Sequence, residues 1–314
     1  MNSHKATTAV VFGYHNVGVR CLSVLLAHGV KVSLVVTHED DPRENIWFGS
    51  VRRLAELNHV PVAIPENPNA PEFVDRIAAL KPDFLFSFYF RYMFKPPLLA
   101  VARRGALNMH GSLLPKYRGR VPVNWAIIHG ERETGASLHY MEAKPDAGDL
   151  VDQQAVPILP DDTAIEVFNK VTVAAEVVLD RSLPALVAGK APRRPLDLKA
   201  SSYFSRRGPE DGRIDWQQPA QAVHDLVRAV APPYPGAFST TDGKSLRILR
   251  SHYAGEAGRH KHAALYVEEG RCYADCGDGK RIEVVVLELD GVAMDAARLA
   301  EHCGNQTLSL GDPA

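Results

Sequence analysis

Apolar and polar positions follow two alternating patterns along the first part of the chain. Short runs rich in β-branched and aromatic residues predict strands at Ala9–Phe12, Val32–Thr37 and Phe84–Phe88. Apolar residues at helical spacing between these runs predict helices at Val19–Ala27, Phe48–Leu57 and Glu72–Leu80. This alternation predicts an α/β fold with a doubly wound, mostly parallel sheet, which binds ligands at the carboxyl ends of its strands.

The same sheet is expected to continue further along the chain. Alternating apolar residues predict strands at Ala106–His110 and Ala136–Met141. A long amphipathic helix follows, which Asp161 or Asp162 can cap and which ends before Gly189. We expect this helix to close the first domain.

A second, smaller domain is predicted after a linker. The stretch Ala191–Pro209 is rich in proline, arginine, serine and lysine, so we place the boundary near Ser205, between domains over residues 1–204 and 205–314. One amphipathic helix is predicted at Ala220–Val230. Strands are predicted at Ser245–Leu249, Ala264–Val267, Arg271–Asp275 and Ile282–Leu289. The C-terminal domain is therefore expected to be β-rich and barrel-like, of the OB type.

Composition and charge exclude several classes of protein. The 314 residues are 46% hydrophobic and 23% charged, near the average of globular proteins, and the formal net charge is −1. Without a basic field we expect no nucleic-acid partner. No apolar run reaches the length of about 18 residues that a membrane helix needs, and the polar start Met1–Thr8 is unlike a signal peptide. We expect a cytoplasmic protein without membrane insertion.

Three familiar motifs do not hold in this chain. GYHNVG, at residues 13–18, lacks the spacing of a nucleotide-binding loop, so we interpret it as a strand-to-helix turn. The serine at residue 112 is not in a GxSxG sequence, which disfavours a serine hydrolase. Cys272 and Cys276 have no second pair at metal-ligand spacing, and Gly255–His262 is interpreted as a solvated loop. We predict no metal site.

Polar residues that suit acyl transfer follow two of the predicted strands. The period of a strand points Asn108 and His110 to the same side at its carboxyl end, and Asp146 lies in a loop after the next strand. Attack of an amine on a formyl carbon needs a donor for the oxyanion and a group that moves a proton near neutral pH. An amide and an imidazole beside a carboxylate meet both needs. From these residues alone, a structural role in capping or hydrogen bonding stays open.

Longer strings around these residues resemble a known family. NMHGSLLPKYRGRVPVNW at residues 108–125 and DAGDLV at residues 146–151 resemble the folate-dependent formyltransferases, over nearly the whole chain. GYHNVG and SFYFRYMF resemble the branch that formylates UDP-4-amino-4-deoxy-L-arabinose. This resemblance implies a Rossmann-like domain and a formyl group carried from 10-formyltetrahydrofolate to the amino group of a nucleotide-linked sugar. It also implies lipid A modification in lipopolysaccharide biosynthesis and polymyxin resistance.

The resemblance also implies roles for particular residues. Asn108 would stabilise the transition state, His110 would transfer the proton, and Asp146 would keep that imidazole charged. The implied binding site for 10-formyltetrahydrofolate consists of Tyr92, Met93, Phe94, Arg120, Glu142, Ala143, Lys144, Pro145 and Asp146. For the aromatic residues of this set, core packing is the alternative interpretation.

The acceptor is predicted from the charge of the second domain. From Phe204 onward there are 13 lysines and arginines against 16 aspartates and glutamates, a net charge of −3, whereas a domain that grips tRNA should be basic. Arg206 and Arg207 are candidate contacts for a sugar-linked diphosphate. Methionyl-tRNA formyltransferase, formyltetrahydrofolate hydrolase and a non-catalytic folate- or nucleotide-binding module stay as alternatives. We expect the oxidative pathway step to need a separate dehydrogenase and decarboxylase polypeptide, and homo-oligomers are compatible with the sequence.

Overall fold

The computed structural model describes residues 6–42, 44–304 and 306–311. The chain divides into two compact units. The first consists of the described residues up to Pro122, Thr134–Val156 and Asn169–Phe204. The second consists of Val123–Glu133, Pro157–Phe168 and the described residues from Ser205 onward. Because the second unit includes two earlier segments, a division into consecutive domains over residues 1–204 and 205–314 stays a prediction.

The first unit contains a mostly parallel sheet. Its strands and those of a small separate pair are β1 (Thr8–Gly13), β2 (Lys31–Val36), β3 (Val62–Ala63), β4 (Phe84–Phe88), β5 (Gly105–His110), β6 (Arg118–Gly119), β7 (Glu133–Tyr140), β8 (Leu150–Pro157) and β9 (Tyr203–Phe204). The seven-stranded sheet has the order β3, β2, β1, β4, β5, β7, β8, and β6 pairs in parallel with β9. The neighbouring strands from β3 to β5 pair in parallel, whereas β5 and β7 pair antiparallel. The predicted doubly wound, mostly parallel sheet is confirmed.

Helices alternate with these strands along the chain. They are α1 (His15–Ala27), α2 (Val51–Leu57), α3 (Pro71–Ala79), α4 (Pro96–Leu99), α5 (Pro122–Ile128) and α6 (Ala164–Val187). Every residue of β4 is buried, as expected for a central strand covered on both faces. Phe12 of β1 packs with Phe73 and Ile77 of α3 in one apolar cluster. The apolar runs that predicted strands therefore form the centre of the unit.

Several predicted boundaries are wrong for local reasons. α1 begins at His15 rather than Val19. α2 begins at Val51 rather than Phe48, because Ser50 caps it: the Ser50 hydroxyl accepts a hydrogen bond from the Arg53 N–H at 3.1 Å. α6 begins directly after Thr163, so neither Asp161 nor Asp162 occupies the capping position. There the N–H and hydroxyl of Thr163 donate to the Glu166 carboxylate at 2.6 and 2.7 Å.

The order of the strands shows at which edge of the sheet a ligand is expected to bind. The chain runs outward from β1 to β2 and β3, and then returns to build β4 and β5 on the other side of β1. In such sheets the crevice for ligands lies beyond the carboxyl ends of the strands, where the order reverses. β5 ends at His110 on that edge.

The second unit is an antiparallel, barrel-like sheet with helices. Its elements are α7 (Ala220–Ala229), β10 (Ala237–Thr241), β11 (Lys244–His252), β12 (Ala264–Glu268), β13 (Arg271–Asp275), β14 (Arg281–Leu289), β15 (Val292–Met294), α8 (Ala296–Cys303) and β16 (Leu308–Ser309). The strand order is β10, β11, β14, β13, β12, β16, with β15 paired to β14. Trp216, Val223 and Leu246 are buried in one core. The predicted β-rich barrel-like fold is confirmed; β10, β15, β16 and α8 were not predicted.

Among the residues that the structure describes, no helix is both long enough and apolar enough to cross a membrane.

Candidate active site

β5 places two polar side chains at the ligand edge of the sheet. It is paired along its length with β4 on one side and with β7 on the other, so that Asn108 lies opposite Ser87 and His139. Asn108 and His110 are two residues apart and both lie near the Asp146 carboxylate. The predicted common direction of the two side chains is therefore confirmed.

Asp146 reaches the same place from the loop between β7 and β8. Its φ of 47° is left-handed, which is uncommon for a residue other than glycine. The loop turns back closely on the end of β7, because a Cβ atom added to Gly148 would lie 2.1 Å from the Tyr140 carbonyl oxygen. Glycine at this position allows the approach that carries Asp146 to β5.

The two oxygens of the Asp146 carboxylate have different surroundings. Oδ2 accepts a hydrogen bond from the Gly119 N–H at 2.9 Å. Oδ1 lies 3.4 Å from Asn108 Nδ2, 3.6 Å from His110 Nδ1 and 3.5 Å from His139 Nε2. One oxygen therefore anchors the carboxylate, and the other is shared by the three nitrogen atoms of the site.

The tautomer of each histidine follows from its backbone partner. His110 Nε2 lies 2.8 Å from the Tyr117 carbonyl oxygen, and His139 Nδ1 lies 2.8 Å from the Tyr140 carbonyl oxygen. A carbonyl only accepts, so each of these nitrogens carries a hydrogen. The nitrogens that can change protonation are therefore His110 Nδ1 and His139 Nε2, and both face Asp146.

The surrounding charges keep Asp146 ionised. Burial alone would raise the pKa of its carboxyl, but the positive charge of His110, the hydrogen bond and charge of His139 and the Gly119 N–H outweigh burial. The pKa of Asp146 is therefore held well below its usual range.

His139 was not identified from the sequence. It lies in the predicted strand Ala136–Met141, where alternation puts it on the same face as Ser137. Only the antiparallel register of β7 shows that it is opposite Asn108. The strand prediction therefore included His139, but the pattern of the sequence did not give the register that places this histidine opposite Asn108.

Profiles of one protein family match both parts of the chain. The profile described as Formyl transferase matches residues 14–183, more than half of the 314 residues. The profile described as Formyl transferase, C-terminal domain, matches residues 207–303. The chain belongs to the formyl transferase family. It is an enzyme of the formyltransferase class, as the sequence predicted.

Solved structures share the fold of this formyltransferase. An N-formyltransferase from Helicobacter canadensis, in complex with folinic acid and dTDP-3-aminofucose, has a TM-score of 0.72 and 22% identity, covering 89% of this chain and 99% of that chain. WlaRD, a sugar 3N-formyltransferase with dTDP and 5-N-formyl-THF, has a TM-score of 0.70 and 20% identity, covering 90% and 97%. HypX from Aquifex aeolicus has a TM-score of 0.63 and 19% identity over 99% of this chain, which spans 49% of HypX. At these identities the likeness shows the fold.

The predicted folate-binding residues of the formyltransferase lie in different environments. Phe94 is buried in the core against Phe12, so its side chain packs as core, whereas Tyr92 and Met93 are exposed after β4. Pro145 is half-buried beside Asp146 in the β7–β8 loop. Four further members of the predicted set are also exposed: Arg120, Glu142, Ala143 and Lys144.

The predicted arginine pair lies in the second unit. Arg206 is exposed, while Arg207 is partly buried and donates a hydrogen bond from Nη2 to the Asp211 carbonyl oxygen at 2.6 Å. Its guanidinium lies over the Trp125 ring, 5.5 Å from the centroid, and burial lowers its pKa. Arg207 Nε has no hydrogen-bond partner among the described residues.

The part of the chain that the structure describes contains no cluster of metal-ligating side chains. There, no three histidine, cysteine, aspartate or glutamate side chains come together as a metal site requires. Cys272 and Cys276 are both buried in the core of the second unit, and burial raises the pKa of their thiols to about 11 and about 12.

Proposed function

We propose that the formyltransferase moves the formyl group of 10-formyltetrahydrofolate to the amino group of a nucleotide-linked amino sugar, with UDP-4-amino-4-deoxy-L-arabinose as acceptor. The observation that carries the proposal is the convergence of Asn108, His110 and Asp146 at the carboxyl end of β5. These groups supply an oxyanion donor and a proton-transfer group at one point, which amine attack on a formyl carbon requires. The donor substrate supplies the activated formyl carbon.

His110 moves the proton at Nδ1. Its Nε2–H is occupied by the Tyr117 carbonyl, so Nδ1 is the atom that takes the proton from the attacking amine and returns it to the departing nitrogen. The Asp146 carboxylate, with Oδ1 at 3.6 Å, favours the protonated imidazole while the proton is held. These reaction steps need no covalent bond between the substrate and the enzyme.

Asn108 donates an N–H to the oxyanion. Its Nδ2 lies 3.2 Å from His139 Nε2, the nitrogen that carries no hydrogen in the neutral ring. While its ring is neutral, His139 accepts one amide hydrogen and keeps the amide nitrogen of Asn108, rather than the amide oxygen, on the side of Asp146. The second hydrogen makes only a long contact of 3.4 Å with Asp146 Oδ1, which leaves it for the developing negative charge.

The donor-binding assignment rests on exposure and on the ligands of related structures. Tyr92, Met93 and the loop residues 142–145 flank the carboxyl edge of the sheet, and the Helicobacter canadensis and WlaRD structures contain folinic acid and 5-N-formyl-THF. These observations support a folate site built from backbone groups and exposed side chains of the two segments. Phe94 would contribute through its backbone, since its side chain is in the core.

The acceptor assignment rests on charge and on the resemblance of the sequence. The net charge of −3 from Phe204 onward disfavours tRNA. Among the related structures, the Helicobacter canadensis enzyme contains dTDP-3-aminofucose and WlaRD contains dTDP. Arg206 and the Nε–H of Arg207 support binding of a diphosphate. The GYHNVG and SFYFRYMF strings favour UDP-4-amino-4-deoxy-L-arabinose as the acceptor, and with it a role in lipid A modification in the cytoplasm. A separate enzyme would then carry out the oxidative step of that pathway.

An acceptor panel tests the proposal. The protein is incubated with 10-formyltetrahydrofolate and, separately, UDP-4-amino-4-deoxy-L-arabinose, dTDP-linked 3-amino and 4-amino sugars, or methionyl-tRNA. Products are identified by mass spectrometry. We expect one formylated UDP-sugar per folate consumed. Formylation of a dTDP sugar alone would overturn the choice of acceptor, and release of formate without a formylated amine would identify a hydrolase.

A further inference from the structure

Arg118 is a buried cation next to the loop that carries Asp146. Its side chain is 5% exposed, and its Nε and Nη2 both donate to the Pro145 carbonyl oxygen, at 3.1 and 2.6 Å. Its Nη1 donates to the Ser201 hydroxyl at 3.4 Å. Burying a guanidinium carries a large desolvation cost, and two of its donors meet on one neutral backbone oxygen. That oxygen belongs to the residue immediately before Asp146.

This contact controls the backbone geometry of Asp146. The Pro145 carbonyl and the Asp146 N–H share one rigid peptide plane, and φ of Asp146 is the rotation that starts from that plane. The observed φ of 47° is unfavourable for aspartate and persists only where surrounding contacts hold it. Arg118 fixes the plane, while the adjacent Gly119 N–H fixes Oδ2 of the carboxylate.

Residues 201–204 in turn hold Arg118 and Gly119, the two residues that donate to the Asp146 loop. The Arg118 N–H donates to the Ser202 carbonyl at 2.9 Å, and the Tyr117 N–H donates to the Ser202 hydroxyl at 2.8 Å. β6 and β9 approach so closely that a Cβ atom on Gly119 would lie 2.1 Å from the Phe204 carbonyl oxygen. A segment interpreted from the sequence as part of a linker therefore supports the loop of the candidate active site.

We propose that Arg118 is a positioning residue for formyl transfer, which acts by holding the Pro145–Asp146 peptide so that the Asp146 carboxylate faces His110 and Asn108. The proposal rests on the proposed function, because it assigns Arg118 a part in the same reaction. Arg118 itself touches no reacting atom. Its effect on the rate passes through Asp146.

A double-mutant cycle tests this dependence. Arg118→Met keeps the length of the side chain and removes its donors, and Asp146→Asn removes the charge that Arg118 positions. We expect Arg118→Met to lower kcat by about tenfold to a hundredfold, as for a catalytic group displaced by about 1 Å, with KM for both substrates changed by less than about twofold. In the Asp146→Asn background the same change should cost no more than about twofold.

Further readouts separate positioning from general stability. Arg118→Met should move the limb of the pH–rate profile in the same direction as Asp146→Asn. Arg103→Met, which removes an exposed arginine before β5, is the control and should leave kcat unchanged. Independent multiplication of the two effects in the cycle, or an unshifted pH profile in a folded Arg118→Met protein, would overturn the proposal.

Two additions keep the test decisive. If Arg118→Met does not fold, Arg118→Lys and Ser202→Ala replace it, and both should reproduce the direction of the pH shift with smaller losses of kcat. If the wild type formylates no nucleotide sugar, the proposed function fails, and Arg118 is then tested by the imidazole 15N signals of His110 at one neutral pH. These signals should change in the same sense in Arg118→Met and Asp146→Asn; no change in Arg118→Met overturns the positioning role.

Discussion

Asn108 and His110 lie on a strand, whereas Asp146 lies on a loop, and different contacts fix the two parts of the site. β5 is hydrogen-bonded to β4 and β7, so the sheet sets the direction of its side chains. Asp146 has a left-handed backbone and depends on donors from Arg118 and Gly119. The strand part should therefore respond mainly to substitution of the reacting side chains themselves, while the loop part should also respond to substitution of its supports.

The largest effect is expected on the strand. His110→Ala removes the group that moves the proton, so kcat should fall by about two to four orders of magnitude while donor affinity changes little. Steady-state kinetics measures both values. His28→Ala, an exposed histidine just after α1, is the matched control. Near-normal turnover of His110→Ala would remove this residue from the mechanism.

A smaller but still large effect is expected from the other strand residue. Asn108→Ala removes the oxyanion donor and should lower kcat by about a hundredfold or more, with a modest effect on KM. Kinetics is measured together with the melting temperature. If Asn108 were only structural, the melting temperature would fall and the specific activity of the folded protein would be intact.

The loop residue should reveal itself through pH as well as rate. Because the pKa of Asp146 lies well below its usual range, the carboxylate stays ionised from about pH 5 to 8, and a limb in that range belongs to another group. Asp146→Asn removes the negative charge that favours a protonated imidazole. We expect kcat to fall by about tenfold to a hundredfold, at least as far as in Arg118→Met, and the limb of the pH–rate profile to move to lower pH. Measuring the rate against pH for the wild type and Asp146→Asn gives both values. An unshifted limb would contradict the electrostatic role of Asp146.

The smallest effect concerns stability. The folded state lowers the pKa of Asp146, so its contribution to the free energy of unfolding is present above about pH 4 and is lost as the pH falls through the lowered value. Wild type should therefore melt above Asp146→Asn near neutral pH, and the two melting temperatures should converge on acidification. Thermal melts across pH measure the difference. A gap that is constant with pH would contradict this linkage.

The strand part of the site could be predicted from the sequence. Phe84–Phe88 has the observed bounds of β4, and Ala106–His110 differs from β5 by one residue. Both are short apolar runs in which burial and the period of two agree, so the pattern carries the position and direction of Asn108 and His110. The strands β13 and β14 of the second unit were predicted for the same reason.

The support of the loop part could not be predicted. β6 and β9 have two residues each, too few to show a period. Arg118 is charged and would be expected at the surface, yet it is buried by contacts with residues far along the chain. His139 required the register of an antiparallel pair, which alternation along one strand does not specify.

The pairing of β6 with β9 sets a rule for building chimeras of this enzyme. A graft that replaced the C-terminal part from residue 191 onward would also exchange Ser201, Ser202 and Phe204, which hold the donors to the Asp146 loop. Such a hybrid could fold and still turn over slowly. A junction placed directly after Phe204 keeps the host's own β9 and leaves these contacts to the Asp146 loop in place.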